Sequence, residues 1–417
     1  MSRAGAAAAT SRARGAAPVA AAPRGPGAWT ALPLVVFAGL FALHIAEPRA
    51  LVFDEIHYVP AAKALAHLAD DLNWEHPPLS KWIMGLGARV LSEQLGFLAE
   101  PAVFRVIAAA FGLWALASVA AFMRELRFPE WAAQAAVWLT GANVLWFVQS
   151  RTAMPDVFAV AFALAGLLRV RRGGAGAGPW VGWAELGLAM ACKWSVAPLC
   201  TIAVLWSDGG ARRRVAGVAV SLAAYALPFL PLALLAQHAT SPLDLVGYQV
   251  RMLEGFGRVD LSHHPYSSRA WQWPTLLRPI WYHYEPSATG DRYVWAGGNP
   301  LLYACALPAT ALLAIRVLRR GAAGGDRAIA LLYWTPLLFW AVLPRAQLYY
   351  YFLASSLWLG PAVVAAALPF RRLRPLVVIA ILTIACLALF LWFSPLFDGR
   401  LAAPGSYGRY MWLRSWR

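Results

Sequence analysis

Asp54 and Glu55 stand side by side directly after the first long apolar segment, and the polar stretch they open runs on through Trp74-Glu75-His76-Pro77-Pro78-Leu79-Ser80-Lys81. Carboxylates placed at a membrane surface suit chemistry on a substrate carried by lipid. Adjacent carboxylates disfavour double ionisation and separate in pKa, so one can serve as a base while its neighbour orients. Asp54 is the candidate base and Glu55 the candidate for orienting the acceptor or the loop, with the order of roles open. The bland alternative is an N-cap pair for a helix starting near residue 58.

The elements that must position these residues are membrane helices. Hydrophobic residues make up 60% of the chain and charged residues 13%, and the apolar residues come in long blocks from residues 29–47 to about 394. This is the signature of an integral, all-α membrane protein. The formal charge of +16 does not point to nucleic acid, because the Arg residues sit in short runs between apolar blocks with no aromatic-interleaved basic groove. Under the positive-inside rule, Arg169-Arg171-Arg172, Arg212-Arg213-Arg214, Arg316-Arg319-Arg320 and Arg371-Arg372-Arg374 are cytoplasmic. So are Arg3, Arg12, Arg14 and Arg24 of an Ala/Gly/Pro-rich leader, residues 1–28, which reads as a disordered cytoplasmic tail. The long first apolar stretch reads as a retained helix rather than a cleaved signal. Cys192, Cys200, Cys305 and Cys386 lie in apolar blocks without metal-ligand spacing, as small core residues do.

Crossing the membrane an even number of times between inside clusters predicts about eleven spans, with the N-terminus inside and the C-terminus outside. The transmembrane unit covers 29–394, with a first external loop at 48–102, a second at 237–299 and an external tail at 395–417. Within the first loop, residues 58–69 and 82–98 read as interfacial helices, the second with an Ile83, Leu86, Val90, Leu91, Leu95 stripe. Two short spans between Arg172 and Arg212 place Lys193 at their external turn.

Phe53-Asp54-Glu55, His76-Pro77-Pro78-Leu79-Ser80-Lys81, Phe104-Arg105-Val106, Ser150-Arg151 with Asp156, Cys192-Lys193-Trp194, and His264-Pro265-Tyr266-Ser267-Ser268 with Trp273-Pro274 and Arg278-Pro279 follow one another in register. In that order the chain resembles a bacterial protein O-mannosyltransferase, from about residue 50 to the closing Met411-Trp412-Leu413-Arg414-Ser415-Trp416. The resemblance implies a GT-C glycosyltransferase fold and inverting transfer of mannose from a polyprenyl-phosphate carrier to Ser or Thr hydroxyls of exported proteins. Two departures stand out. The second loop is too short for the β-trefoil insert of eukaryotic members, and Glu75 before the His-Pro-Pro turn is similar to lipid-A aminoarabinose transferases.

Such a transfer needs a base, cations for the departing phosphate and a site that excludes water. Arg105, Arg151, Lys81 and Lys193 are the phosphate candidates at headgroup level, against the bland reading of snorkelling to lipid. Asp156 reads as a structural partner buried against a cation. His76, Glu75, His264, Tyr266, Trp273 and Arg278 are the substrate-binding candidates. The aromatics around them are equally suited to anchoring at the interface and to walling a sugar and an acceptor peptide. Tyr349, Tyr350 and Tyr351 would line a prenyl groove. A metal near Glu75, His57 and Glu55 finds no closed ligand set, so no cofactor is implied. The alternatives are a related transferase with another lipid-linked sugar or a lipid or glycan acceptor, and a transporter or flippase, whose polar sites belong at the bilayer midplane. Whether the chain acts alone or as a homodimer is open.

Overall fold

The computed structural model describes residues 28–235, 242–258, 261–319, 322–344 and 346–417. The leader, with Arg3, Arg12, Arg14 and Arg24, lies outside the described residues, as do Arg320 and Arg345. The rest is mostly helical. Helix α1 (Ala28–Ala42) leads to two loop helices, α2 (Glu55–Ala66) and α3 (Leu79–Ala88). Then come α4 (Ala102–Glu125), α5 (Glu130–Gly141), α6 (Val144–Ser150) and α7 (Pro155–Arg172). Next are α8 (Gly178–Cys192), α9 (Ala197–Trp206), α10 (Ala211–Ala226) and α11 (Leu230–Leu235). Helix α12 (Pro242–Arg258) lies in the second loop. The chain closes with α13 (Pro300–Leu318), α14 (Gly324–Val342), α15 (Leu353–Ser356), α16 (Leu359–Ala367) and α17 (Pro375–Phe393).

Among the described residues, four helices are long and apolar enough to cross a bilayer: Ala102–Glu125, Ala211–Leu232, Pro300–Leu318 and Pro375–Leu396. Counting α6 with α7, bent by 105°, and Tyr349–Ser356 with α16, bent by 43°, the number reaches six rather than eleven. Short helices account for much of the difference, since α1, α5, α8 and α9 run only 15, 12, 15 and 10 residues. Helix α5 stops at Gly141, and Asn143 adopts an extended backbone before α6. Pro155 at the first turn of α7 holds Met154 extended, which forces the turn at 151–154.

The all-α expectation also needs correcting. Strands β1 (Ile280–Glu285), β2 (Asp291–Ala296) and β3 (Leu401–Ala402) form a small antiparallel sheet in the order β1-β2-β3. The run Ile280-Trp281-Tyr282-His283-Tyr284, whose aromatics suited either the interface or a sugar wall, has strand-forming chemistry. Gly290 completes the turn at φ 154°, where a Cβ would stand 2.7 Å from the Ala402 carbonyl oxygen. The C-terminal segment is not a loose tail. Trp281 donates its indole N–H to Trp416 O at 3.0 Å, and Trp416 donates to Leu276 O at 2.7 Å, which ties the segment to the second loop.

Candidate active site

Strain marks the entry to the site. Phe53 has φ 48°, a left-handed conformation that costs a bulky residue about 1–3 kcal/mol unless its surroundings enforce it. The enforcement is visible. Its ring stacks on Tyr282 at 4.2 Å and 1°, and its amide donates to Tyr282 O at 3.1 Å, so the first loop is tied to β1.

The two carboxylates that follow part company. Glu55 is fully buried, and each of its oxygens accepts two hydrogen bonds. Oε1 receives Arg105 Nε at 3.0 Å and the Ala153 amide at 2.9 Å, while Oε2 receives Arg105 Nη2 at 2.8 Å and the Val52 amide at 2.9 Å. Asp54 precedes α2 but its side chain makes no capping bond, contrary to the N-cap alternative. It lines instead a cavity of about 370 Å³ between the two loops. Burial raises its carboxyl above the ordinary 3.8, and Asp156 adds to the rise; Lys193, His57 and the Tyr350 hydroxyl pull the other way.

Among the described residues, Lys193 is the Lys or Arg that lines this cavity. It sits in extended conformation at the break between α8 and the short 3-10 turn Trp194–Val196, and it donates to Asp156 at 2.6 Å. Asp156 occupies the first turn of α7, where the helix dipole favours a carboxylate. The ammonium also lies 5.1 Å from the Tyr350 ring centre and 5.8 Å from that of Tyr58.

The other three phosphate candidates are placed differently. Arg105 is buried, and its donors go to Glu55, Ile45 O, Pro48 O and Ala50 O, so it pins the loop. Lys81 is also buried and spends its ammonium on Asp71 at 2.5 Å, Asn73 O at 2.6 Å and His76 O at 2.9 Å. It thereby folds the His-Pro-Pro turn over itself, and the Tyr248 hydroxyl of α12 joins the same Asp71 at 3.1 Å. Arg151 donates to Leu43 O at 2.6 Å, faces Asp398 O at 3.5 Å and lines a separate small cavity. In each case a cation buried in the fold is drawn to the nearest carbonyls and carboxylates.

Of the substrate candidates, Glu75, His76 and His264 line the Asp54 cavity. Burial, and then the charges of Lys193 and Lys81, push the His76 imidazole well below 6.5, so it is neutral near pH 7. Tyr266 faces a neighbouring aromatic pocket. Trp273 is fully buried and donates to Ser268 Oγ at 2.9 Å, and Arg278 donates to Pro265 O at 3.1 Å, so both brace the second loop rather than the cavity. Tyr350 and Tyr351 line the cavity, whereas Tyr349 is buried against Tyr303 at 2.6 Å. Sequence reasoning missed α12, whose Gly255 and Phe256 close one side of the cavity. The spacing Leu245, Tyr248, Met252 on its inward face was the available signal.

Such a chamber, with an uncapped half-buried carboxyl, a paired ammonium and neutral imidazole, suits proton removal beside a developing anion. No family model matches the chain. Two curated proteins are similar to it, the polyprenol-phosphate-mannose–protein mannosyltransferases of Mycolicibacterium smegmatis strains ATCC 700084 and MKD8. Each is 25% identical over 88% of this chain and 87% of its own length. Among solved structures, the S. cerevisiae protein O-mannosyltransferase Pmt1-Pmt2 complex bound to the sugar donor superposes with a TM-score of 0.70, at 12% identity over 93% of each chain. ArnT from Cupriavidus metallidurans is similar in its apo state (TM-score 0.55, 19% identity, 91% of this chain and 67% of that one). The likeness holds for ArnT with undecaprenyl phosphate bound (TM-score 0.54, 15% identity, 89% and 77%). The fold is therefore that of the GT-C transferases, and the likeness read from the motifs extends over most of the chain.

Proposed function

We propose that this chain is a membrane-embedded inverting glycosyltransferase that moves mannose from a polyprenyl-phosphate-mannose donor to Ser or Thr hydroxyls of exported proteins. The observation that carries the reading is the Asp54 carboxyl, half-buried, uncapped and turned into a cavity that also receives Lys193. The named mannosyltransferase relatives support the donor and the acceptor class.

In this reading the acceptor hydroxyl gives its proton to Asp54 as its oxygen bonds to the anomeric carbon of mannose. The bond from that carbon to the phosphate oxygen breaks on the opposite face, which inverts the centre. The electron pair leaves with the polyprenyl phosphate, a good leaving group that needs no proton. Lys193, held by Asp156, meets the developing phosphate charge. Glu75, the neutral His76 and His264 orient sugar and acceptor hydroxyls. Glu55 and Arg105 act as positioning residues by holding the loop that carries Asp54. The membrane unit is 29–394 with eleven crossings, several of them short or broken, an N-terminus in the cytoplasm and the site on the extracytoplasmic face. That orientation follows the positions of the Arg clusters.

The test is transfer of mannose from synthetic polyprenyl-phosphate-mannose to a Ser/Thr peptide by the purified protein, with Asp54→Asn and a chelator arm. Transfer that collapses in Asp54→Asn and survives chelation is the expected result. A fully active Asp54→Asn would remove Asp54 as base, and wild type inert with this donor would move the reading to another lipid-linked sugar.

A further inference from the structure

A second pocket lies beside the reaction cavity, on the β-hairpin of the second loop. It measures about 220 Å³ and is lined by Tyr266, Trp281, Tyr284, Tyr407 and Arg417. Its rings stand across one another rather than forming a flat platform. Trp281 and Tyr407 are 5.9 Å apart at 88°, Tyr284 and Tyr407 5.7 Å at 59°, and Trp281 and Tyr284 6.1 Å at 47°.

A β-bulge builds this slot. Trp281 pairs with Trp295 and His283 with Val294, so Tyr282 is the extra residue of β1. Three positions apart on a regular strand, Trp281 and Tyr284 would face opposite sides; the bulge turns them to the same side, opposite Trp295 and Tyr293 of β2. The same bulge sends Tyr282 the other way, onto Phe53 beside Asp54. A second link runs through the loop: His264 lines the reaction cavity, Tyr266 lines the slot, and the Tyr266 amide donates to His264 Nδ1 at 3.2 Å. Slot and reaction cavity therefore adjoin through the His264–Tyr266 segment.

We propose that this slot holds a proline-bearing, extended segment of the acceptor polypeptide next to the reacting hydroxyl, an inference that rests on the acceptor being a protein. The backbone that flanks a hydroxyl held at Asp54 must continue beyond the cavity, and the bulged strand adjoins the cavity through the Phe53–Tyr282 stack. Rings set across one another form a slot for a pyrrolidine ring, and a polyproline II segment enters it already extended, at low entropic cost. A pyranose, which packs on an open ring face, is served less well by rings set edge to face.

The experiment uses the full chain and two peptides with one central Thr, one flanked by prolines and one with alanines in their place. Wild type should favour the proline peptide in kcat/KM by about 5–10-fold, the effect lying in KM. Tyr284→Ala with Tyr407→Ala should bring the ratio close to one, while Tyr284→Phe, which keeps the ring, should retain it. Equilibrium binding of a proline peptide with Ala in place of Thr, without donor, reads the slot independently of any transfer. Binding that weakens in the Ala variants supports the slot even if transfer takes another sugar. A ratio of one in wild type, or variants that lose both peptides equally, overturns it and leaves these aromatics as bilayer anchors.

Discussion

Asp54 and Glu55 are consecutive in the chain and face opposite environments: Asp54 opens into the cavity between the loops, while Glu55 is fully buried with four donors on its two oxygens. Their substitutions should separate accordingly. Asp54→Asn should lower kcat by about 10²–10⁴-fold, the range for removing a positioned base, with little change in thermal midpoint. Glu55→Ala strands the buried Arg105 and should cost about 3–5 kcal/mol of stability. Thermal unfolding in detergent alongside transfer assays checks both, and a Glu55→Ala protein as stable as wild type would sink the assignment of the Glu55–Arg105 pair as a loop pin.

Lys193 and Asp156, 2.6 Å apart, give a second pair of expectations. Lys193→Met should lower kcat by about 10²–10³-fold, as loss of a cation at a developing charge does. Asp156→Asn leaves the ammonium without its carboxylate and should act mainly on stability. A Lys193→Met enzyme with wild-type kcat and a raised KM for the donor would show that the ammonium binds the donor without meeting charge in the transition state.

The acid limb of activity should report Asp54. A base must be deprotonated, so kcat/KM should rise with pH through the carboxyl's pKa. Burial places that value above 3.8. A pH profile whose acid limb falls at the ordinary carboxylate value, or an unchanged limb in a residually active Asp54→Glu, would count against the assignment.

Stability should fall on the acid side through His76. Its folded pKa lies well below the unfolded 6.5, chiefly through burial, so the unfolded chain binds the proton more readily. The neutral imidazole's contribution is present above about 6.5 and is lost as pH drops below it. His76→Gln should flatten the thermal midpoint between pH 7 and about pH 5; a midpoint that falls as steeply as in wild type would assign the loss elsewhere.

Lys81 tests the turn rather than the chemistry. Lys81→Met removes the donor that gathers Asp71, Asn73 O and His76 O, and should loosen both the His-Pro-Pro turn and the nearby end of α12. Limited proteolysis should show faster cleavage in residues 70–78 than in wild type, and equal cleavage would reject the anchor.

The sequence by itself determined what depends on composition and local order. Long apolar blocks place the chain in a bilayer, since apolar surface on that scale has no other solvent. The six motifs in register carried the GT-C fold, and the order Asp54, His76, Lys193, His264 contained four residues that line the cavity. Tertiary structure alone decided which polar groups are free. Arg105, Lys81, Arg151 and Lys193 look alike in a sequence, because a cation's role depends on the acceptors brought within hydrogen-bond reach from distant segments. Folding gives Arg105 to Glu55, 50 positions away, Arg151 to Leu43 and Lys81 to Asp71, and leaves Lys193 with Asp156 at the cavity wall. The hairpin was hidden for a related reason. Its aromatics satisfy an interfacial reading as well as a strand, and only pairing with β2 and the C-terminal segment selects the strand.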